Sequence, residues 1–139
     1  MDEIKYVDTN VILSLVEEDA NFERARKLKG LTNLVTGEIT QLELNSFYSR
    51  KLKDEIKARA STLYLLQFVN VKVIEADWNK LFRKALDLSY KLELKTLDVL
   101  QIASAFLSGS KIFITFDKEI ISKREIVKKY TGVSVDDLT

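Results

Sequence analysis

The chain has no cysteine, no histidine and no proline, and only four glycines. Without cysteine there is no disulfide, thiolate nucleophile or zinc–thiolate site. Without histidine there is no Ser-His-Asp triad, no imidazole base and no imidazole metal ligand. Chemistry is left to Asp, Glu, Lys, Tyr, hydroxyls or a bound ion. Without proline, turns must rest on Gly, Asn and Asp; Gly30, Gly109 and Gly132 each follow a helical run and read as helix stops. Excess charge is missing too: 22 basic and 21 acidic residues give a net charge of +1, so any polyanion site must come from local clustering. No apolar run reaches the roughly 18 residues of a membrane span, and the acidic start Met1-Asp2-Glu3-Ile4 is unlike a signal peptide. The expectation is a cytoplasmic protein without a membrane partner. Its 139 residues are expected to form a single domain over 1–139, with ordinary globular proportions of 46% hydrophobic and 31% charged residues.

What is present is an alternation of short β-branched runs with longer helical patterns. Strands are predicted at Ile4–Val7, Asn33–Thr36, Val71–Ile74, Ile112–Phe116 and, more weakly, Val133–Val135. Helical patterns lie near 10–17, 21–29, 40–52, 54–69, 76–92, 97–108 and 118–130. In 54–69, Ile56, Ala60, Leu63 and Leu66-Gln67 recur at helical spacing behind an Asp54 N-cap. This order predicts an α/β fold, a three-layer sandwich around a mostly parallel sheet. No repeat or linker divides it.

Against that frame, four acids stand where apolar segments stop or are interrupted. Asp8 closes Ile4-Lys5-Tyr6-Val7, and Asp117 closes Ile112-Phe113-Ile114-Thr115-Phe116. In a parallel sheet both would meet at the crevice outside the strands' C-terminal ends, provided the two strands are neighbours. Asp8, Thr9 and Asn10 are all capping residue types, so Asp8 either caps the next helix or faces the crevice. Glu43 sits between Ile39 and Phe47 at the margin of an apolar stripe, with Glu38 nearby as a competing acid. Asp98 has Leu94, Ile102 and Ala105 as helical neighbours, and the small residues Ala103, Ser104 and Ala105 imply close packing that turns it inward. Its other explanation is a favourable place in the first turn of a helix. Thr115 shares a strand face with Asp117 and could orient it. Carboxylates gathered without bases suit a hard divalent cation, Mg²⁺ or Mn²⁺.

Val7-Asp8-Thr9-Asn10, Leu42-Glu43-Leu44, Leu97-Asp98-Val99-Leu100-Gln101-Ile102-Ala103-Ser104-Ala105 and Ile114-Thr115-Phe116-Asp117 together resemble the PIN-domain nucleases, in particular VapC-type toxins of toxin–antitoxin pairs. The resemblance covers nearly the whole chain. It implies a PIN-like fold and a metal-dependent endoribonuclease acting on single-stranded or loop RNA. It also implies Asp8, Glu43, Asp98 and Asp117 as catalytic acids, and Asp8, Asp98 and Asp117 as metal ligands. Asn10 and Thr115 would be supporting polar residues. A homodimer and an antitoxin protein are the implied partners. Many relatives carry a second Asp soon after the last acid, where this chain has Lys118-Glu119-Ile120; Glu119 either replaces it, acts in an outer layer or has no role.

Basic runs at Arg24–Lys29, Arg50–Lys53 and Lys123–Lys129 are either solvated helix faces or RNA contacts. Two rival readings exist. One is an aspartate-based phosphoryl-transfer domain, opposed by Asn10 standing where a haloacid-dehalogenase type needs its second Asp and by the lack of an acidic pair beside Asp8. The other is a non-catalytic interaction module whose acids only cap helices and hold a stabilising ion.

Overall fold

The structure is a computed structural model that describes residues 2–139. Five parallel strands, β1 (Lys5–Val7), β2 (Leu34–Gly37), β3 (Lys72–Ile74), β4 (Ile112–Ile114) and β5 (Ser134–Asp136), form one sheet in the order β3-β2-β1-β4-β5. Every pairing is parallel, so the sheet is wholly and not mostly parallel. The predicted neighbours are in register, with Tyr6 beside Phe113 and Val7 beside Ile114. From β1 the chain winds outward to β2 and β3, then returns to lay β4 and β5 on the other side. That reversal makes the β1/β4 boundary a topological switch point, where the crevice of an open parallel sheet forms.

Helices α1 (Thr9–Glu17), α2 (Phe22–Ala25), α3 (Glu38–Leu52), α4 (Glu55–Val69), α5 (Trp78–Leu92), α6 (Thr96–Leu107), α7 (Lys118–Ser122) and α8 (Arg124–Thr131) complete the three layers. Strand alternation sorts the core into two halves. Val7, Leu34 and Ile114 face Val11, Ile12, Leu44, Leu65 and Leu66 on one side. Tyr6, Val35 and Phe113 face Leu81, Leu88, Leu92, Ile102 and Ile120 on the other. In α5, Leu81, Ala85, Leu88 and Leu92 make the buried stripe at helical spacing.

Several expectations need correction. The pattern over 21–29 divides into α2 and a 3₁₀ turn over Arg26–Gly30, so Gly30 closes that tighter turn and has no left-handed backbone. The pattern over 118–130 breaks at Lys123, whose ammonium donates to the carbonyls of Leu92 and Glu93 at the end of α5. Asp54 caps α4 through Lys57 N, but the helix buries Ala58, Thr62, Leu65, Leu66 and Val69. Ile56 and Leu63 are therefore exposed, along with Tyr64 and Phe68. Because α4 is apolar on more than one face, periodicity alone did not select the buried one. With so few glycines, four helices end on left-handed Glu18, Lys53, Asn70 and Glu93; Asn70 is of an expected turn type, and the two glutamates and the lysine are not.

One close approach shapes the interior beside the crevice. A Cβ at Gly37 would lie 2.5 Å from the Tyr6 hydroxyl and 2.6 Å from Ser104 Oγ, so the end of β2 can sit against α6 only without a side chain. Gly37→Ala is expected to destabilise the protein by about 1–3 kcal/mol, the usual cost of overpacking. Urea unfolding with an unchanged slope and a lower midpoint would show it; an unchanged midpoint would mean that this approach is not tight.

Candidate metal centre

The site grows from the C-terminal ends of β1 and β4. Asp8 follows Val7 directly, and its amide still donates to Ile114 O at 2.9 Å. The side chain is only 6% exposed. Its Oδ1 accepts from Thr9 N at 2.8 Å, and its Oδ2 from Thr115 Oγ1 at 2.8 Å and Asn10 Nδ2 at 3.3 Å. Asp8 thus caps α1 and turns toward the crevice at once. The supporting residues are themselves linked: Asn10 Oδ1 accepts from Phe116 N, and Thr115 Oγ1 accepts from Asp117 N.

Asp117 caps α7, accepting from Glu119 N at 2.8 Å and Ile120 N at 3.4 Å through Oδ1 alone. Asp98 enters from the first turn of α6. One of its oxygens, Oδ2, is buried and has no hydrogen-bond partner, an uncommon state for a buried polar atom. One ligand atom from each of Asp98, Asp117 and Glu119 lies within 4.8 Å of the others. The tightest acidic group is therefore this trio; Asp8 stands beside it and Glu119, though exposed, belongs to it. Glu43 comes from α3 and accepts from Thr9 Oγ1 at 2.8 Å and Gln101 Nε2 at 2.9 Å. The competing Glu38 is used elsewhere, accepting from Ala76 N at 2.8 Å.

The acids lie close enough for their charges to act on one another. Burial pushes the Asp8 carboxyl up to about 7, against the pull of Thr115 and Thr9, and the charges of Glu43 and Asp98 add to it. Burial also raises Asp98, to about 6, followed by the charges of Asp117 and Glu119. Lys95 is the cation that opposes this rise. Among the described residues, no ion pair involves Asp8, Glu43, Asp98, Asp117 or Glu119. An all-oxygen donor set, an orphaned buried carboxylate oxygen and mutual repulsion without a paired base fit a hard divalent cation.

Sequence reasoning missed Tyr6, Thr40, Gln101 and Lys95 as neighbours of the acids. Gln101, a polar residue inside the apolar run from Val99 to Ala103, was the one detectable signal. Some members of the basic runs serve the architecture. Arg24 and Lys27 donate to the backbone carbonyls of Asp137 and Leu138, and Lys128 to that of Gly132.

The geometry agrees with the comparisons. The profile of the PIN domain family matches residues 5–126. Among solved structures, the fold is similar to VapBC-1 from nontypeable Haemophilus influenzae, with a TM-score of 0.70 and 18% identity over 97% of this chain and 98% of that one. It is also similar to VapBC2 from Rickettsia felis bound to a DNA fragment from their promoter, with a TM-score of 0.67 and 16% identity over 96% and 97%. A toxin–antitoxin complex from Klebsiella pneumoniae gives a TM-score of 0.66 and 18% identity over 97% and 98%. A search of curated protein sequences gives no match. Its parallel sheet, its acids at the switch point and the profile match place this chain in the PIN domain family.

Proposed function

We propose that the chain is a single PIN domain over residues 1–139 that acts as a Mg²⁺- or Mn²⁺-dependent endoribonuclease of the VapC toxin type. The observation that supports this best is the convergence of Asp98, whose buried Oδ2 has no hydrogen-bond partner, with Asp117 and Glu119, one oxygen of each lying within 4.8 Å of the others. In this reading Asp98, Asp117 and Glu119 hold the cation together with Asp8. Such an ion would supply Lewis acidity toward a phosphoryl oxygen and would make a nearby water more acidic.

The remaining work belongs to the protein's own side chains. Thr115 and Asn10 hold Asp8 in one orientation by their hydrogen bonds to its Oδ2. Glu43, held by Thr9 and Gln101, accepts a hydrogen bond from the attacking water and orients it toward phosphorus. Lys95, at the start of α6, offsets repulsion between an incoming phosphodiester and the acids. Single-stranded or loop RNA is the substrate class, cut to leave a 3′-hydroxyl and a 5′-phosphate.

The named structural relatives are toxin–antitoxin complexes, which supports an antitoxin partner. A homodimer belongs to the same reading, as does a cytoplasmic location. Among the described residues no helix is long and apolar enough to cross a membrane. Exposed apolar residues such as Trp78, Phe82, Leu86 and Tyr90 on α5 would suit covering by a protein partner. The test is incubation of purified protein with stem-loop and unstructured RNAs in Mg²⁺, in Mn²⁺ and in EDTA. Cleavage in either metal, abolished by EDTA and yielding 5′-phosphorylated ends, is the expected result. Intact RNA in all three conditions would overturn the nuclease reading.

A further inference from the structure

Behind Glu43 lies a buried chain of neutral polar groups. Gln101 is 1% exposed, although it lies on α6 among Val99, Ile102 and Ala103, where a leucine would pack without any polar atom to satisfy. Burying a carboxamide costs free energy unless both its ends are bonded. Both ends are. Its Nε2 faces Glu43 Oε1 at 2.9 Å, Thr40 Oγ1 at 3.0 Å and Thr9 Oγ1 at 3.2 Å. Its Oε1 accepts from the Tyr6 hydroxyl.

The direction of this chain follows from donor chemistry. An ionised carboxylate only accepts, so the end of Gln101 that faces Glu43 must be its NH₂. Its Oε1 is then left to accept the one proton of the Tyr6 hydroxyl. Tyr6 is itself fixed, fully buried and stacked on Phe113 with ring centroids 5.5 Å apart. Its hydroxyl lies beside Ser104, where the bare Gly37 leaves room. The Thr9 hydroxyl also has one proton, and Glu43 Oε1 at 2.8 Å is nearer to it than Thr40 Oγ1 at 3.0 Å. Two donors therefore converge on one oxygen of Glu43, and the opposite carboxylate oxygen is left for other contacts.

We propose that Gln101, backed by Tyr6, is a positioning residue: it fixes the Glu43 carboxylate against the crevice through a hydrogen-bond chain that starts at β1. The consequence for turnover rests on the nuclease reading above; the contact itself does not. A residue acting through Glu43 alters the orientation of the reacting water more than the grip on RNA. Its loss should therefore fall on kcat and spare KM.

Three variants and one spectroscopic measurement test it. Gln101→Met, similar in size but unable to bridge, is expected to lower kcat about 10- to 100-fold, as loss of an outer-layer partner does, with KM within about twofold. Tyr6→Phe should cost less. The double variant should be no slower than Gln101→Met, because Tyr6 acts through Gln101. Wild-type kcat in Gln101→Met, or a double variant slowed by the product of the two single effects, would overturn the proposal. Should Gln101→Met fail to fold, Tyr6→Phe decides: kcat unchanged in it counts against the chain, and reduced kcat at constant KM counts for it. In metal-free protein, the Gln101 side-chain amide NMR signal should resist solvent exchange and shift in Glu43→Gln. A rapidly exchanging signal insensitive to Glu43→Gln overturns the positioning role whether or not RNA is cut. A protected, Glu43-sensitive signal in a wild type that cuts no RNA upholds the contact and overturns only the nuclease reading.

Discussion

Asp8→Asn protein is expected to lose RNA cleavage by more than the roughly 10- to 100-fold typical of losing an outer-layer partner of a metal site, while keeping its fold. The substitution preserves shape: an asparagine oxygen can still accept from Thr9 N, where Asp8 Oδ1 accepts at 2.8 Å. What disappears is charge at the most buried of the acids, beside Glu43 and Asp98. A neutral amide holds a divalent cation more weakly than a carboxylate does. Initial cleavage rates at saturating Mn²⁺, with circular dichroism as a check on folding, measure the effect. Wild-type rate in Asp8→Asn, with or without EDTA, would contradict the proposed mechanism.

The second large effect is on stability against pH in the absence of metal. Asp8 has its carboxyl pushed from 3.8 up to about 7, and Asp98 from 3.8 up to about 6, so the folded chain holds protons that the unfolded chain has released. Where the folded state binds more protons, stability falls as pH rises. The contribution is fully present below about pH 4 and is lost as the pH climbs through 6 to 7. The buried Asp8 is worth about 1.4 kcal/mol per pH unit across its window, and the half-buried Asp98 less, because solvent screens the charges around it. For a domain of this size the melting temperature in EDTA should drop by on the order of 10 °C between pH 4.5 and 7.5. The lowered carboxyls of Asp87 and Asp137 titrate below this window and do not offset it.

Saturating Mg²⁺ or Mn²⁺ should reverse the slope, because the cation competes with protons for the same oxygens. Asp8→Asn or Asp98→Asn should flatten the slope in EDTA and leave stability at pH 7.5 unchanged or improved, since repulsion falls. A melting temperature that rises with pH in EDTA would contradict the electrostatic account. A sharp drop in Asp98→Asn at pH 7.5 would instead assign Asp98 a structural hydrogen-bonding role.

The sheet was legible because its strands are short, β-branched and separated by strongly patterned helices; even the weak Val133–Val135 signal marks β5. Strand order was not legible, yet it places Asp8 beside Thr115, because register between distant segments is set by packing and not by local sequence. Asp8 and Asp117 could be read because they close apolar, strand-like runs, although β4 itself stops at Ile114, and Asp98 because it interrupts an apolar face. Glu43 was named through the resemblance, with Glu38 as its competitor; that Glu38 is engaged by Ala76 N was not legible, because the contact joins distant segments. The buried face of α4 was not legible because leucines and aromatics lie on more than one side of that helix. Glu119 gave no apolar context to mark it, and enters the acidic group only through the turn that Asp117 caps.

Diffraction from crystals soaked in Mn²⁺, collected above the manganese absorption edge, tests the central claim most directly. An anomalous peak between the carboxylates of Asp98 and Asp117, within coordination distance of Asp98 Oδ2 and lost in Asp98→Asn, is the predicted result. Manganese bound only elsewhere on the surface, with Asp98 Oδ2 still without a partner at full occupancy of those sites, would contradict it.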